Sequence, residues 1–495
     1  MERRGFASVG RRWHRRLDTA SGALLLFLLV FAPWGAGGTL QWSSWVMIVT
    51  GWTLGGLLVG KWLLVRFTGF EPVRWRREGG ESRWPVWAMG GLTVFLLLQV
   101  GISLWNARAE VSWSDSGVEF LYRDIVEWLP TTYDLAATRK AFFRYLAFAG
   151  VFWAMRDWLR IKSRSERHRE EDGRDQNDAG RVPDRLRWLG WTLAVNAALM
   201  ALVGILHRLD GANELLWMIP VRGAGNPIIF GSFPYRANAA QYLNLVWPLV
   251  LGIWWSLRVE AHRPTEKPSR AGGHAYPMLL FCVALMVGGV VVAGSRGGVV
   301  VSIVELVFAL GLLGRSMKGI APRIALGVMF IGAVGSAVLL SGAFLAKRFE
   351  KILVDDTMSG RTSIFDTAHR IANDFLVWGS GAETFLTVNG LYRAGDRSIW
   401  HGYVHDDWLE TRATLGIVGL CCSIALLMLA PIVRQGSGRV PIIPEVPWML
   451  GLGFLGMLVH ARFDFPFQIP ANHLAFLMLL AAFTELGPVR PSSGK

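Results

Sequence analysis

The sequence predicts an all-α polytopic membrane protein with about twelve transmembrane helices. Of its 495 residues, 52% are hydrophobic, and the mean hydropathy is +0.35. Apolar runs near twenty residues recur along the chain, which is the helix length that crosses the hydrocarbon core of a bilayer. Lys and Arg concentrate in alternate short loops, as they do in cytoplasmic segments. The net charge of +14 therefore reflects membrane topology and not a nucleic-acid surface.

The predicted spans follow from these apolar runs and from the charged loops between them. Six arginines precede the first run, which fixes the N-terminus on the cytoplasmic side. Alternation from there gives both termini a cytoplasmic location. The predicted spans are 21–34, 45–65, 84–104, 141–159, 188–206, 239–257, 276–293, 299–313, 324–345, 415–433, 448–460 and 474–483.

Three connections between spans have a distinctive composition. Residues 106–138 mix acidic and aromatic residues, which predicts an outer segment with a short amphipathic helix at the interface. Residues 160–187 carry charges of both signs without apolar periodicity, so we expect a charged cytoplasmic loop, disordered or weakly helical. Residues 346–411 form the largest loop, between spans nine and ten, and parity places it outside. The rest of residues 1–495 is predicted to be a single integral membrane domain.

Three arginines from different outer loops are candidates for binding an anionic substrate. Arg236 enters a predicted helix after GSFPY, Arg296 stands in GSRGG between two spans, and Arg361 begins SGRTS. A guanidinium is a planar fork that matches phosphate oxygens. A lipid-linked diphosphate at the membrane surface would need such a clamp, although each arginine alone could equally extend from a helix end toward the headgroups.

The predicted catalytic group is His405, in the stretch HGYVHDDWLE. An imidazole at the mouth of a membrane cavity can accept a proton from a sugar hydroxyl near neutral pH. His401, Asp406, Asp407 and Glu410 are possible supporting residues. A structural role remains the alternative, in which the histidine hydrogen-bonds locally and the carboxylates cap or pair on short helices.

A metal site is not predicted. His401 and His405 have the spacing HxxxH, but no third ligand is placed beside them. The first outer loop, GAGGTLQWSS, has no carboxylate to bind a metal either. No cofactor is expected.

The order of several motifs resembles the O-antigen ligase and polymerase superfamily of bacterial inner-membrane proteins. The motifs are GSFPYRANAAQYLNL, then GSRGG, then SGRTSIFDTAHRIANDFLVWGSGAETF, then VHDDWLETRATLGIVGL, and they cover about residues 230–420. The family commonly has Asn where this chain has Asp406, and Asn-His where it has Ala237 and Asn238. These departures concern the identity of the substrate more than the type of reaction.

The resemblance implies a GT-C-type glycosyltransferase in the inner membrane that acts at the periplasmic face. Its donor would be a glycan on undecaprenyl diphosphate, and its acceptor a glycan or the lipid A core of lipopolysaccharide. Arg296 and Arg361 would bind the donor diphosphate with support from Arg236. His405 would activate the acceptor hydroxyl for an inverting transfer that requires no metal.

Two alternatives stay open at the level of sequence. Within the superfamily, ligase, polymerase of lipid-linked repeats and protein O-glycosylation share these motifs. A transporter of a small anion or lipid-linked sugar would instead use polar groups in the membrane, and Glu305, Asn196 and Asn244 are the best candidates for them.

Overall fold

A computed structural model of the chain confirms a mostly helical membrane protein. It describes residues 2–75, 82–114, 117–172, 181–220, 228–262, 275–317, 319–320, 359–392 and 402–488, and scattered helical positions between 323 and 339. Six helices in these ranges are long and apolar enough to cross a membrane: Ser8–Trp34, Gln41–Thr68, Trp84–Trp105, Asp184–Asp210, Arg296–Ser316 and Asp407–Gly436. Pro277–Ala293 and Glu445–His460 are shorter apolar helices. The number of twelve spans stays a prediction.

The first half of the chain consists of long helices, one β-hairpin and a short charged helix. In order, these elements are α1 (Glu2–Trp34), α2 (Gln41–Thr68), α3 (Trp84–Trp105), β1 (Ala109–Ser114), β2 (Gly117–Tyr122), α4 (Leu135–Arg160), α5 (Arg164–Glu171) and α6 (Asp184–Asp210). A single 3-10 turn, Ala36–Gly38, joins α1 and α2.

The second half contains the elements that carry the candidate site. After a short antiparallel pair, β3 (Glu214–Leu215) with β4 (Ile219–Pro220), come α7 (Arg236–Ala261), α8 (Pro277–Ala293) and α9 (Arg296–Ser316). Next are α10 (Ser359–Asp374), α11 (Phe385–Tyr392) and α12 (Asp407–Ser437). The last elements are β5 (Val440–Ile442), α13 (Glu445–His460), α14 (Pro470–Glu485) and β6 (Leu486–Pro488), with a 3-10 turn at Pro466–Gln468.

Every predicted span except the ninth coincides with one of these described helices. The ninth falls on 324–345, where only scattered positions are described, and those are helical. Hydropathy predicts the positions of these helices because a helix that crosses the hydrocarbon core needs apolar side chains over about twenty residues.

One expectation about the connecting segments needs correction. The amphipathic helix expected within 106–138 is wrong, because the chain forms the antiparallel hairpin of β1 and β2 there. Apolar residues alternate with polar ones in β1 and, except at Leu121, in β2, which is the period of a strand and not of a helix. The loop at 160–187 contains α5, whose start is fixed by a capping box between Ser163 and Glu166.

Helix α7 lies at the centre of the bundle. Its residues are buried without interruption from Arg236 to Leu257, and it packs against α6, α8, α9, α13 and α14. A helix that is buried all round needs no polar face, and glycines on its neighbours allow close approach. A Cβ on Gly453 of α13, for example, would lie 2.7 Å from the Leu245 carbonyl oxygen.

Buried ion pairs join the helices at the end of the bundle where α14 finishes. Lys61 Nζ of α2 lies 2.7 Å from the Asp157 carboxylate of α4, and Arg156 Nη2 of α4 lies 2.6 Å from Glu485 Oε1 of α14. Each charge is compensated by a partner from another helix, as burial requires. The loop between α13 and α14 is at the opposite end, and so is the candidate site.

Candidate functional site

Helices α10 and α11 form a small amphipathic unit beside His405. Ile364, Ala368 and Ile371 lie on one face of α10, and they pack with Phe385 of α11 and with Val404. This packing fixes the start of α10 relative to the segment that precedes His405. Arg361 is at that start, but its side chain lies outside the described part of the structure.

A break in α12 separates the site from the membrane helix that follows. Gly416 has φ +69° and ψ −175°, which interrupts the helix. The peptide groups freed by the break bond to the segment after α10: Ile417 N–H donates to the Leu376 carbonyl at 2.9 Å, and Gly381 N–H donates to the Thr414 carbonyl at 2.9 Å. The predicted start of span ten, near residue 415, therefore coincides with the break.

His405 and Asp464 form the central pair of the site. His405 Nδ1 lies 3.1 Å from Asp464 Oδ1, with 26% of the histidine side chain exposed and 6% of the aspartate side chain. Asp464 Oδ2 accepts a hydrogen bond of 3.2 Å from Gln241 Nε2 on α7. His405 has φ +62°, a conformation that non-glycine residues rarely adopt and that occurs at functional sites. The pair thus joins the loop before α12 to the loop after α13 and to the central helix.

Aromatic rings enclose one side of the histidine. Phe465 stacks on Tyr403 with ring centroids 4.4 Å apart, and on Tyr235 at 5.6 Å. The His405 ring meets Phe465 edge-on at 4.8 Å. These contacts limit the rotation of the imidazole, so its orientation is set by both the ring contact and the carboxylate.

The three carboxylates after His405 all have structural partners. Asp406 caps α12 by accepting from the N–H groups of Trp408 and Leu409, and it pairs with Arg462 Nη1 at 2.6 Å. Asp407 accepts from Phe467 N–H at 2.8 Å and from Gln468 Nε2 at 3.2 Å. Glu410 accepts from Val404 N–H at 2.9 Å. Together they fasten the backbone on both sides of His405.

Two groups beside His405 have shifted pKa values. Burial raises the pKa of the Asp406 carboxyl, while the Leu409 N–H and the Arg462 guanidinium act in the opposite direction. Burial also raises the pKa of the Tyr403 phenol, and the Glu410 carboxylate adds to this effect. Tyr403 therefore stays a neutral phenol against Phe465.

Arg236 and Arg296 begin α7 and α9, and the packing of these helices brings their N-termini together. Ala240 and Asn244 follow Arg236 on the same face of α7 at helical spacing. Asn244 Nδ2 donates to the Gly298 carbonyl at 2.8 Å, and a Cβ on Gly298 would lie 2.7 Å from Ala240 Cβ. The GSRGG segment therefore lies directly against the face of α7 that starts with Arg236.

The GSRGG segment, which contains Arg296, also contacts the end of α13. A Cβ on Gly297 would lie 3.0 Å from His460 Nε2, and His460 is the last residue of α13. Four residues further on is Asp464, the partner of His405. Consequently His405, Asp464 and the helix ends that carry Arg236 and Arg296 lie at one end of the bundle.

The remaining predicted site residue is His401. His401 lies outside the described residues, so the HxxxH arrangement has no described geometry. Among the residues that the structure describes, no three His, Cys, Asp or Glu side chains are arranged to hold a metal ion.

Sequence analysis missed Asp464, Gln241 and Arg462, which hold His405 and Asp406 in place. Asp464 and Arg462 lie between the predicted spans eleven and twelve, and Gln241 lies in the predicted span six. The signal for Asp464 was the pairing of Arg and Asp among aromatic residues in ARFDFPF, within a turn of only nine residues between α13 and α14. An ionisable pair in so short and apolar a turn indicates a specific partner.

An apolar cavity of about 260 Å³ extends from the site between α3, α4, α12 and α14. Most of its lining is aliphatic or aromatic, as at Leu97, Phe152 and Leu427. Asp407, Gln468 and His473 line the polar end. The polar end thus includes the residue two positions after His405.

The fold and this site define a polytopic membrane protein with a polar, histidine-containing site at one end of its bundle. Residues 281–424 match the family described as O-antigen ligase. The match includes Arg296, Arg361 and His405, and it supports membership of the chain in the O-antigen ligase and polymerase superfamily, as the motifs predicted. No curated protein matches the chain. Members of this family are glycosyltransferase-like enzymes that act on lipid-linked glycans.

Proposed function

We propose that this protein transfers a glycan from an undecaprenyl-diphosphate-type lipid to an acceptor hydroxyl at the periplasmic face of the inner membrane. In this proposal the chain has about twelve spans in a GT-C-type arrangement with both termini in the cytoplasm. The family match supports the reaction class. The hydrogen bond between His405 and Asp464 is the observation that carries the mechanism.

His405 acts as the general base. If its Nδ1–H donates to Asp464, the tautomer leaves the lone pair on Nε2, which can accept a proton from a hydroxyl. Asp464 also stabilises the imidazolium that forms, as a carboxylate does in other histidine-dependent transfer reactions. Gln241 and the Phe465 ring keep the pair in this orientation.

Arg296, Arg236 and Arg361 bind the diphosphate of the donor. Each is at or near the N-terminus of a helix, where backbone N–H groups add to the positive potential. Charge-assisted bonds from guanidinium to phosphate oxygens stabilise the negative charge that develops as the diphosphate leaves. The arginines therefore supply the electrostatic stabilisation without a metal.

The bond changes are those of a direct displacement with inversion at the anomeric carbon. The acceptor oxygen forms a bond to that carbon while the bond from the carbon to the diphosphate oxygen breaks. The proton of the acceptor hydroxyl passes to His405, and the electron pair of the broken bond leaves on the lipid diphosphate. No cofactor takes part.

The cavity between α3, α4, α12 and α14 suits the apolar part of a lipid-linked substrate. Its aliphatic walls match an isoprenoid or acyl chain, and each buried methylene contributes about 0.8 kcal/mol. Asp407 and Gln468 at its polar end lie next to the segment of His405, so a lipid head would lie close to the reacting groups.

A polymerase of lipid-linked repeats is the alternative within the superfamily, since it differs in the acceptor and not in the donor site. Of the three polar groups named for transport, Glu305 is buried in α9 and its carboxyl oxygens have no hydrogen-bond partner among the described residues, whereas the two asparagines are bound within the bundle. Asn196 accepts a hydrogen bond from Trp34 Nε1 at 2.7 Å and donates one to the Leu29 carbonyl at 3.0 Å. Asn244 Nδ2 donates to the Gly298 carbonyl at 2.8 Å. Both asparagines thus bind neighbouring elements of the bundle.

The decisive experiment is transfer by the purified protein in proteoliposomes with a lipid-diphosphate glycan and separate acceptors. We expect a glycosidic product without any ion gradient, and we expect His405→Ala to abolish it while membrane insertion is retained. His168→Ala is the matched control, because His168 is exposed on α5, near the opposite end of the bundle. Movement of the substrate without a new bond would instead establish a transporter.

A further inference from the structure

The hairpin of β1 and β2 presents one continuous apolar face. Its register pairs Ala109 with Tyr122, Val111 with Phe120, and Trp113 with Val118. Since side chains alternate along a strand, these six residues lie on the same side of the hairpin. The rings of Phe120 and Tyr122 stack with centroids 6.0 Å apart, as neighbours on one face do. The other face carries Glu110, Ser112 and Glu119, with Leu121.

This face is partly exposed in the structure: Val111, Val118 and Phe120 are half-buried, and Leu121 on the opposite face is exposed as well. Trp113 is 56% exposed and Tyr122 is 54% exposed, whereas Ala109 at the root is buried. An isolated two-stranded hairpin is only marginally stable in water. An exposed aromatic surface of this kind indicates that something covers it.

The root of the hairpin is fixed at the end of the bundle that carries His405. Asn106 Nδ2 donates to the Val126 carbonyl at 2.9 Å, and Asn106 Oδ1 accepts from Val126 N–H at 2.8 Å. Trp378 Nε1, in the segment that follows α10, donates to the Trp128 carbonyl at 3.0 Å. The hairpin therefore extends from a rigid base beside the α10 and α11 unit.

The chain enters the hairpin directly from the exposed apolar side of α3. Trp87, Val94, Leu98 and Trp105 are exposed at spacings of seven, four and seven residues, which places them in one stripe along the helix. The stripe ends at Trp105, four residues before β1 begins. Trp128, on the return segment, is also exposed. Tryptophans at helix ends lie at the headgroup level of a membrane.

We propose that the hairpin is an interfacial membrane anchor, with its apolar face inserted among the lipid headgroups and upper acyl chains. Continuity with the α3 stripe identifies lipid as the occupant. The position of a positive charge also supports lipid as the occupant. The Arg108 guanidinium lies over the Tyr122 ring at 5.9 Å, at the base of the same face, where lipid phosphates would be. The polar face with Glu110 and Glu119 remains in water.

A glycan fits this face less well than lipid does. Carbohydrate sites combine aromatic rings with amide or carboxylate groups that bind hydroxyls. Among the paired residues that the structure describes on the apolar face, the polar side-chain atoms are the indole nitrogen of Trp113 and the phenol of Tyr122. Glu110 and Glu119 are on the opposite face.

Fluorescence quenching at single labelled positions tests this orientation. Cys282, Cys421 and Cys422 are replaced by alanine, and one cysteine is introduced as Trp113→Cys or as its matched control Ser112→Cys. Each is labelled with an environment-sensitive fluorophore in nanodiscs of phosphatidylethanolamine and phosphatidylglycerol. We expect doxyl-labelled lipid to quench the label at position 113 several-fold more than aqueous iodide does, and we expect the reverse at position 112.

A second pair, Phe120→Cys and Glu119→Cys, repeats the comparison on β2. Gel filtration of each labelled protein confirms that it is folded and monodisperse. Equal quenching by iodide at both members of each pair would show that both faces are in water and would overturn the proposal. Protection of position 113 from both quenchers, with energy transfer between labelled copies, would overturn it in favour of a second copy. Glycan transfer is not measured, so failure here is distinct from failure of the proposed reaction.

Discussion

His405 Nδ1 and Asp464 Oδ1 lie 3.1 Å apart although 59 residues separate them in the chain. The bond crosses from the loop before α12 to the turn after α13. A carboxylate in this position holds the imidazole in one tautomer and one orientation, and in the Ser-His-Asp hydrolases its replacement by an amide lowers kcat by about 10⁴-fold.

We therefore expect Asp464→Asn to lower kcat for glycan transfer by up to about 10⁴-fold, with little change in KM for the donor. The amide preserves size but offers no charge to the imidazolium. Initial rates over a range of donor concentrations measure both constants. Asp172→Asn, on an exposed residue after α5, is the control. A rise in KM at unchanged kcat would show that Asp464 acts in donor binding and not through His405.

Two arginines at opposite ends of α9 test whether Arg296 binds the donor diphosphate. Arg296 is the first residue of α9 and Arg315 is in its last turn, so the two lie at opposite ends of the bundle. Loss of a charge-assisted bond corresponds to about 1.5–3 kcal/mol, or roughly 10- to 150-fold in kcat/KM. We expect Arg296→Ala to show this loss and a weaker binding of lipid diphosphate, whereas Arg315→Ala stays near the parent protein.

Substitution by lysine separates geometry from charge at the same position. We expect Arg296→Lys to recover only part of the lost kcat/KM, because an ammonium cannot make the paired bonds of a guanidinium. Full activity of Arg296→Ala in the proteoliposome assay would exclude Arg296 from the donor site.

The cavity beside Asp407 predicts a dependence on lipid length. Ala149 lines the cavity from α4, and Ala149→Phe would fill part of its volume of about 260 Å³. We expect KM to rise for a long-chain lipid donor and to stay unchanged for a short-chain analogue, since only the long chain needs that space. Steady-state assays with both donors make the comparison. An equal effect on both donors would show that the substitution disturbs the site itself.

Much of the fold was predictable because lipid imposes a simple rule on side chains. Helix positions followed from runs of about twenty apolar residues, and even the start of the tenth span was placed near Gly416, where α12 is broken. The hairpin was missed because its strands are only six residues each. Over such a length, mixed aromatic and acidic residues also fit a short interfacial helix.

Candidate site residues could be named from the sequence only where the residue types themselves signal chemistry. Arg296 and His405 stand in distinctive local sequence. Asp464 and Gln241 become visible only through tertiary contacts that bring α7, α13 and the loop before α12 together. No periodicity encodes such a contact, and the nine residues between α13 and α14 give no indication of which neighbour they meet.

The break in α12 should depend strictly on glycine. Gly416 has φ +69°, and a Cβ there would lie 2.1 Å from the Val377 carbonyl oxygen. We expect Gly416→Ala to lower the thermal stability of the purified protein and to reduce glycan transfer, because strain of this kind costs about 1–3 kcal/mol. Gly314→Ala is the control, since nothing lies within 4 Å of its Cβ position and alanine favours a helix. A thermal stability of Gly416→Ala equal to that of the parent protein would show that the break does not require glycine.

The start of α12 gives a final test that separates its capping from its ion pair. Asp406 accepts from Trp408 and Leu409 N–H groups and also pairs with Arg462, which is largely exposed. Asparagine caps helices as well as aspartate does, and an exposed pair contributes little. We therefore expect Asp406→Asn to remain within a few tenths of a kcal/mol of the parent protein, and Asp406→Ala to be destabilised by about 1 kcal/mol. Thermal unfolding in detergent of these two variants and of Arg462→Ala distinguishes the two contributions. Equal losses of stability in Asp406→Asn and Arg462→Ala would assign the stabilisation to the ion pair. A loss of stability confined to Asp406→Ala assigns it to the cap.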